Sequence, residues 1–233
     1  MTDAVDVLVL ATHPDDAEIG CAGTILDLVD AGRTVAVVDM SRGELGTRGT
    51  PEQRAVESAA ATRLLGLAVR ENLGLPDTAV QDDDATLGAV VRVLRRYRPR
   101  LLLAPMTSDA HPDHEATGRV ARRAFFHAGL RKARPELGPP HRPRLMLCYF
   151  ANDFAAADVC VDISRYIERK REVVRCYASQ LGGDRSHQLR GLDPLERCEA
   201  RDRYFGSISG CAAAEPFTVD GPLPLAGLAN LLT

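Results

Sequence analysis

The sequence has little of what several classes of protein require. Of its 29 basic side chains only Lys132 and Lys170 are lysines, and the formal net charge is -3, so nothing indicates nucleic-acid binding by bulk electrostatics. No apolar run approaches the roughly 18 residues of a membrane span, and the acidic start MTDAVDV is unlike a signal peptide. Tryptophan is absent, and the six cysteines include no CxxC pair, which predicts reduced, buried thiols. We expect a soluble, cytoplasmic protein with no nucleic-acid or membrane partner.

Strand-like and helix-like segments alternate along the chain. Apolar, β-branched runs predict strands at 5–11, 34–40, 101–105, 144–150 and 158–163. Helical patterns and caps predict helices at 19–32, from Pro51, from Asp84 to before Pro99, at 115–129, from Asp162 or Ser164 through 180, and from Asp193. This alternation predicts an α/β fold, with a mostly parallel sheet covered by helices on both faces. We expect one domain over residues 1–233, with the Pro-rich stretch 134–143 as a loop inside it.

Two polar clusters follow predicted strands at the points where the strands end. HPDD (13–16) comes directly after strand 5–11, and HPDH (111–114) follows strand 101–105. Ligands of open α/β sheets bind beyond the carboxyl ends of the strands. Both clusters are therefore expected at the same edge, where short loops bring them together although about a hundred residues separate them.

Together the clusters contain the parts of a metal-dependent hydrolytic site. His13 and Asp16 supply two typical zinc ligands from one turn, and one histidine of the second cluster completes a three-ligand set. The groups left over provide a carboxylate base for bound water, a protonated histidine for an oxyanion, and an aspartate to keep that histidine charged. For either cluster alone, helix capping and turn formation are an equal alternative. The second copy favours metal-assisted acyl hydrolysis.

The residues of both clusters resemble the motifs of one known family. HPDDAEIGCAGTI and HPDHEATG are similar to motifs of the LmbE-like (PIG-L) family of metal-dependent N-acetylglucosaminyl de-N-acetylases. Further stretches resemble its bacillithiol-pathway branch: SRGELGTRGTPEQR, ENLGLPD, VDISRYIERKREVVRCYASQ and FGSISGCAAAEPF. The resemblance extends over nearly the whole chain. It implies a Rossmann-like, LmbE-like deacetylase fold, a divalent metal that is Zn²⁺ or else Fe²⁺ or a similar ion, and a homo-oligomer, often a hexamer in that branch.

The resemblance also implies roles for individual residues. The residues that it assigns to the metal are His13, Asp16 and His114. It implies that Asp15 is the general base, that His111 is the acid that stabilises the oxyanion, and that Asp113 tunes His111. Ala110 departs from the pattern, because relatives in this branch tend to carry Arg there. A cation near the substrate is then missing or is supplied from elsewhere.

Three further polar residues are candidates for substrate contacts. Arg54 matches a substrate-associated arginine of the branch, whereas Arg48 fits a solvated loop equally well, and Asp77 fits either sugar hydroxyls or a plain turn. The substrate that matches best is N-acetylglucosaminyl malate, whose anionic aglycone suits Arg54. Chitobiose-like or inositol conjugates and acylated natural products are the alternatives. A phosphoesterase would favour a second metal set, and a non-catalytic sugar-binding relative would lack the base or a ligand. The sequence indicates neither.

Overall fold

The computed structural model describes residues 3–182 and 193–223. Within these ranges the strands are β1 (Val7–Ala11), β2 (Val35–Ser41), β3 (Val69–Leu75), β4 (Leu101–Pro105), β5 (Leu145–Tyr149), β6 (Val159–Asp162) and β7 (Ala214–Val219). The α-helices are α1 (Asp16–Asp30), α2 (Pro51–Leu65), α3 (Asp84–Tyr97), α4 (Pro112–His127), α5 (Ile167–Arg175) and α6 (Pro194–Ser209). None of the helices in this part of the chain is long and apolar enough to cross a membrane.

The strands form one sheet in the order β3-β2-β1-β4-β5-β7-β6. The five strands from β3 to β5 are parallel, and β7 runs antiparallel to both of its neighbours. Alternate residues of β1 enter two different apolar cores, Leu8 and Leu10 with α3 and α4, and Val7 and Val9 with α1 and α2. The predicted α/β architecture with helices on both faces is confirmed.

Helices α1 and α4 both begin earlier than the sequence predicts. The predicted starts were residues 19 and 115, whereas the helices begin at Asp16 and Pro112. In α4 the reason is a cap, because the backbone N–H of Asp113 donates to Nδ1 of His111 at 3.2 Å and proline occupies the first helical position. The polar clusters thus lie at the N-termini of the two helices, with Asp16 as the first residue of α1 and His114 in the first turn of α4.

The C-terminal part of the fold shows two further differences from prediction, one in a helix and one in a strand. Helix α5 stops at Arg175 and does not continue to residue 180, since Ser179 donates its N–H and hydroxyl to Glu57 of α2. Strand β7 was not predicted at all, because its sequence AEPFTV contains Glu215 and Pro216, which are depleted in strands. Pro216 lies beyond the residues of β7 that pair with β5, so its missing N–H costs no bond there.

Helix α1 has a kink at Cys21, whose φ of -151° and ψ of 26° are not helical. In a regular helix the N–H groups of Gly23 and Thr24 would donate to carbonyls four residues earlier. Here they donate to the buried Glu215 carboxylate at 2.9 and 2.7 Å, and the Thr24 hydroxyl donates to it at 2.6 Å. Glu215 of β7 therefore caps the second half of α1 from across the fold.

The backbone carbonyl groups that the kink leaves without helical partners accept hydrogen bonds from another buried residue. Arg201 of α6 donates to the carbonyls of Ile19 and Gly20, at 2.7 and 3.4 Å. Lys170 of α5 then joins the two sides, since its Nζ lies 2.6 Å from Glu215 and 2.7 Å from Asp202. A buried network of charges thus binds α1, α5, α6 and β7 to one another.

Removal of the Glu215 carboxylate should destabilise the fold strongly. Glu215→Ala leaves two helix N–H groups without an acceptor and one buried ammonium short of a partner. Breaking a buried ion pair from one side typically costs about 3–5 kcal/mol. We expect a loss of this order in the free energy of unfolding, measured by urea denaturation.

Asp220→Ala is the matched control for that measurement. Asp220 also pairs with a basic side chain, that of Arg122 at 3.0 Å, but both side chains are more than half exposed. An exposed pair contributes at most about 1 kcal/mol. Equal losses in the two variants would contradict the structural role assigned to Glu215.

Candidate active site

The two polar clusters meet because β1 and β4 are parallel neighbours in the middle of the sheet. Their carboxyl ends open on the same edge, and each strand is followed there by the first turn of a helix. His13 follows β1, Asp16 opens α1, and His114 lies in the first turn of α4. All three side chains are buried. The topology therefore places the three predicted metal ligands side by side.

The three ligand atoms form a nearly equilateral triangle. His13 Nδ1 lies 3.3 Å from Asp16 Oδ2, Asp16 Oδ2 lies 3.2 Å from His114 Nε2, and the two ring nitrogens are 3.3 Å apart. A tetrahedral zinc ion with bonds of about 2.0–2.1 Å holds its ligand atoms about 3.3 Å apart. The donor set and its spacing therefore fit a divalent metal, and three protein ligands leave a further position for water.

Asp15 stands between two of these ligands in an unusual backbone conformation. Its φ of 127° lies in the region that non-glycine residues rarely adopt, and such strain concentrates at functional sites. Burial raises the pKa of Asp15 to about 7, against the opposing attraction of Arg54. A carboxyl group with that pKa can take up and release a proton near neutrality.

Arg54, predicted as a substrate ligand, contacts the predicted base itself. Its Nη2 lies 3.0 Å from Asp15 Oδ1 and also donates to the carbonyl of Pro14. Arg54 is only 5% exposed. Its guanidinium therefore stabilises the strained turn at Pro14 and Asp15.

The loop over Arg54 explains two glycines of the SRGELGTRGT stretch. A Cβ on Gly43 would lie 2.8 Å from Arg54 Nη1, and Gly43 also has a φ of +67°. A Cβ on Gly46 would approach the same atom to 3.4 Å. The loop backbone thus packs directly on the guanidinium, which only glycine allows at position 43.

His111 and Asp113 are connected through the backbone. The N–H of Asp113 donates to His111 Nδ1, which favours the neutral ring with its proton on Nε2. Burial lowers the pKa of His111, and the charges of His114 and His13 lower it further. The buried Oδ2 of Asp113 has no hydrogen-bond partner among the described residues and lies 3.9 Å from His13 Nε2. The sequence predicts a protonated His111, whereas this geometry favours a neutral donor.

The other two predicted substrate residues lie in different surroundings. Asp77 faces His13, with its Oδ1 3.0 Å from Nε2, and its Oδ2 accepts the N–H of Leu45 at 2.8 Å. Arg48 donates to the carbonyl of Gly182, which borders the undescribed residues 183–192. The structure therefore brings Asp77 to the metal ligands, and Arg48 to the border of that segment.

The sequence interpretation missed a carboxylate that contacts two histidines of the second cluster. Asp109 Oδ1 lies 3.2 Å from His114 Nδ1 and accepts the N–H of His111 at 2.9 Å. Asn152, which follows β5, donates to Asp109 through its backbone and side-chain nitrogens, and Arg197 donates to Asn152 in turn. Two signals pointed here: an acidic residue two positions before a predicted site histidine, and the end of a third strand at the same sheet edge.

Comparison with known proteins finds deacetylases among the relatives of this chain. The model of the family described as PIG-L, GlcNAc-PI de-N-acetylase, matches residues 8–125, which include both polar clusters. Diacetylchitobiose deacetylase of Thermococcus kodakarensis is 30% identical over 91% of this chain and 82% of its own. A probable N-acetyl-alpha-D-glucosaminyl L-malate deacetylase 2 of Bacillus anthracis is 28% identical over 75% of this chain and 80% of its own. The crystal structure of a conserved protein from Thermus thermophilus shares 40% identity and a TM-score of 0.85, covering 96% of this chain and 97% of that one.

Three buried candidate ligand atoms and an adjoining carboxyl group at the edge of a parallel sheet are typical of metal-dependent hydrolases. Within that class the chain belongs to the PIG-L, GlcNAc-PI de-N-acetylase family. The resemblance to this family is thereby confirmed, together with the fold that it implies. The protein is an enzyme of a deacetylase family.

The packing of the loop on Arg54 can be tested with two matched glycine variants. Gly43→Ala and Gly74→Ala both place alanine at a positive φ, but a Cβ on Gly74 meets nothing within 4 Å. Overpacking typically costs about 1–3 kcal/mol beyond the backbone strain. We expect Gly43→Ala to lower the free energy of unfolding by that much more than Gly74→Ala does.

The same pair in an Arg54→Ala background isolates the contact. Without the guanidinium, the two glycine variants should cost nearly the same free energy of unfolding, because only the shared strain remains. A difference that persists in this background would show that Gly43 is required for another reason.

Proposed function

We propose that this chain removes the N-acetyl group from N-acetylglucosaminyl conjugates, with a divalent metal held by His13, Asp16 and His114. Zinc and ferrous iron both suit two imidazoles and one carboxylate. The observation that carries the proposal is the triangle of candidate ligand atoms with the Asp15 carboxyl group beside it. The names of the two curated relatives support the reaction class, since both are deacetylases.

Each residue of the site has a different role in the proposed hydrolysis. A divalent metal supplies a Lewis acid that polarises the acetyl carbonyl and lowers the pKa of a water molecule. Asp15 takes a proton from the attacking water, while Arg54 holds Asp15 Oδ1 and leaves Oδ2 as the acceptor. His111 donates from Nε2 to the oxyanion. Asp15 returns that proton to the departing amine, since a neutral His111 serves only as a hydrogen-bond donor, and the products are acetate and a free amino sugar.

N-acetylglucosaminyl malate is our first candidate substrate. It is supported by the resemblance of the SRGELGTRGTPEQR and ENLGLPD stretches to the bacillithiol branch and by the name of the Bacillus relative. Arg54, which would suit the malate carboxylates, is already engaged by Asp15 and Pro14. Binding of malate in this site would therefore require that Arg54 leaves Asp15 for a malate carboxylate, or that another cation pairs with the malate.

Diacetylchitobiose is the second candidate, and one observation favours it. It carries no charge, so it requires neither a free Arg54 nor the arginine that Ala110 replaces. The Thermococcus relative named for this activity also aligns with 91% of the chain. The two candidates differ in net charge, which makes a direct comparison informative.

The role of Asp15 is tested by Asp15→Asn, which keeps the size of the side chain and removes the base. We expect the rate of amine release to fall by about 10²–10⁴-fold, the usual contribution of general base catalysis. The bound metal, measured by elemental analysis, should remain, because Asp15 is not among the three ligands.

Asp84→Asn is the control for Asp15→Asn, since the Asp84 side chain lies on α3 and is 85% exposed. It should leave the rate unchanged. Full activity of Asp15→Asn would contradict the assignment of the base, and loss of metal from that variant would contradict the proposed ligand set.

The substrate and the metal are tested by release of free amine from a panel of N-acetyl conjugates. The purified protein is assayed with N-acetylglucosaminyl malate, diacetylchitobiose and an inositol conjugate, before and after chelation. We expect turnover of at least one substrate that chelation abolishes and added Zn²⁺ or Fe²⁺ restores. Preference for the malate conjugate would support the first candidate, and preference for diacetylchitobiose the second. Turnover that survives complete metal removal would contradict the mechanism.

A further inference from the structure

Each of the two histidine ligands offers one ring nitrogen to the triangle and turns the other toward a buried carboxylate. His13 contributes Nδ1, and its Nε2 lies 3.0 Å from Asp77 Oδ1. His114 contributes Nε2, and its Nδ1 lies 3.2 Å from Asp109 Oδ1. The two ligands therefore use opposite ring nitrogens, and each has a carboxylate of its own behind it.

We propose that Asp77 and Asp109 are positioning residues that hold His13 and His114 in opposite tautomers in the metal-bound state, in which both rings are neutral. A neutral imidazole has one N–H and one lone pair, and a carboxylate accepts only from the N–H. Asp77 thus places the proton of His13 on Nε2, and Asp109 places that of His114 on Nδ1. In both rings the lone pair then faces the metal site. This inference rests on the proposed metal ligands.

The two carboxylates are themselves held in place, so they can orient the rings. Asp77 is 5% exposed and accepts the N–H groups of Leu45 and Thr78, each at 2.8 Å. Asp109 is 8% exposed and accepts the N–H groups of His111 and Asn152, each at 2.9 Å. Neither side chain can turn away from its histidine without giving up these backbone hydrogen bonds.

Asn152 lies beside the same ring nitrogen. Its Nδ2 lies 3.1 Å from His114 Nδ1 and 3.0 Å from Asp109 Oδ1. With the proton of His114 on Nδ1, the amide nitrogen and the ring nitrogen both donate to Asp109 Oδ1. The contact is compatible with the proposed tautomer, which Asp109 itself assigns.

A different use of the same atoms is a second metal ion. His13, Asp77 and Asp113 also lie close enough to form a ligand set, and Asp113 Oδ2 is buried without a partner among the described residues. His13 Nε2 cannot donate a proton to Asp77 and bind an ion at the same time. The hydrogen-bond distance of 3.0 Å favours the first use, and the number of ions per chain separates the two.

The first experiment measures zinc affinity and stoichiometry by competition with a chromophoric chelator for the wild type, Asp77→Asn and Asp109→Asn. Loss of such supporting carboxylates typically costs 10–100-fold in metal affinity. We expect one ion at this site in the wild type, and an affinity about 10–100-fold lower in each variant. His114→Ala reports the binding contributed by other groups of the chain, including the six cysteines.

Asp83→Asn is the matched control for this measurement. Asp83 is also an aspartate that accepts a backbone N–H, that of Thr86 at 2.8 Å, but it caps α3. It should bind zinc as the wild type does. Zinc affinities of Asp77→Asn and Asp109→Asn equal to that of the control would overturn the inference.

The second measurement reads the tautomers directly and does not depend on any variant. Two-bond ¹H–¹⁵N correlations of the zinc-loaded wild type should show His13 protonated on Nε2 and His114 protonated on Nδ1. The same tautomer in both rings would overturn the inference, as would a second ion that is lost in Asp77→Asn. A wild type that binds no zinc or ferrous ion would instead refute the proposed metal site itself.

Discussion

One carboxylate oxygen, Oδ2 of Asp16, joins the two halves of the site. It accepts the backbone N–H of His13 at 2.8 Å and lies within 3.3 Å of one ring nitrogen in each ligand histidine. Burial acts to raise the pKa of Asp16, yet the neighbouring His114 and His13 hold it well below its ordinary value. An anion at this point is what allows two imidazoles from distant parts of the chain to converge. The proposed metal chemistry depends on that convergence.

The position of Asp16 depends in turn on the helix that it opens. Helix α1 is interrupted at Cys21, and its freed N–H and carbonyl groups are taken up by Glu215 and Arg201. These two residues come from the C-terminal strand and helix, so the last part of the described chain supports the first ligand turn. The strained φ of Asp15 is held at the same turn by Arg54. Charge pairs in a low-dielectric interior provide the stiffness that this geometry requires.

Two layers of polar residues can be distinguished around the ligand triangle. The inner layer contains the proposed metal ligands together with Asp15 and His111. Behind it lie Asp77 and Asp109, each fixed by backbone N–H groups of the loops that carry the site. Because the loop at 43–46 contacts both Asp77 and Arg54, its position is tied to the metal ligands and to the base at once.

The sequence by itself determined the strand–helix alternation, the edge of the sheet that carries the site, and the grouping of His13 and Asp16 with a histidine of the second cluster, for which the family resemblance implies His114. Apolar periodicity and the rule for strand ends are local or topological, so they can be read without coordinates. Only the tertiary structure decided that Arg54 binds Asp15, that Asp77 and Asp109 face the ligand histidines, and that AEPFTV is a strand with a buried Glu215. Those contacts join residues far apart in the chain. Their partners are selected by burial and by the need to satisfy each buried charge, which no local pattern records.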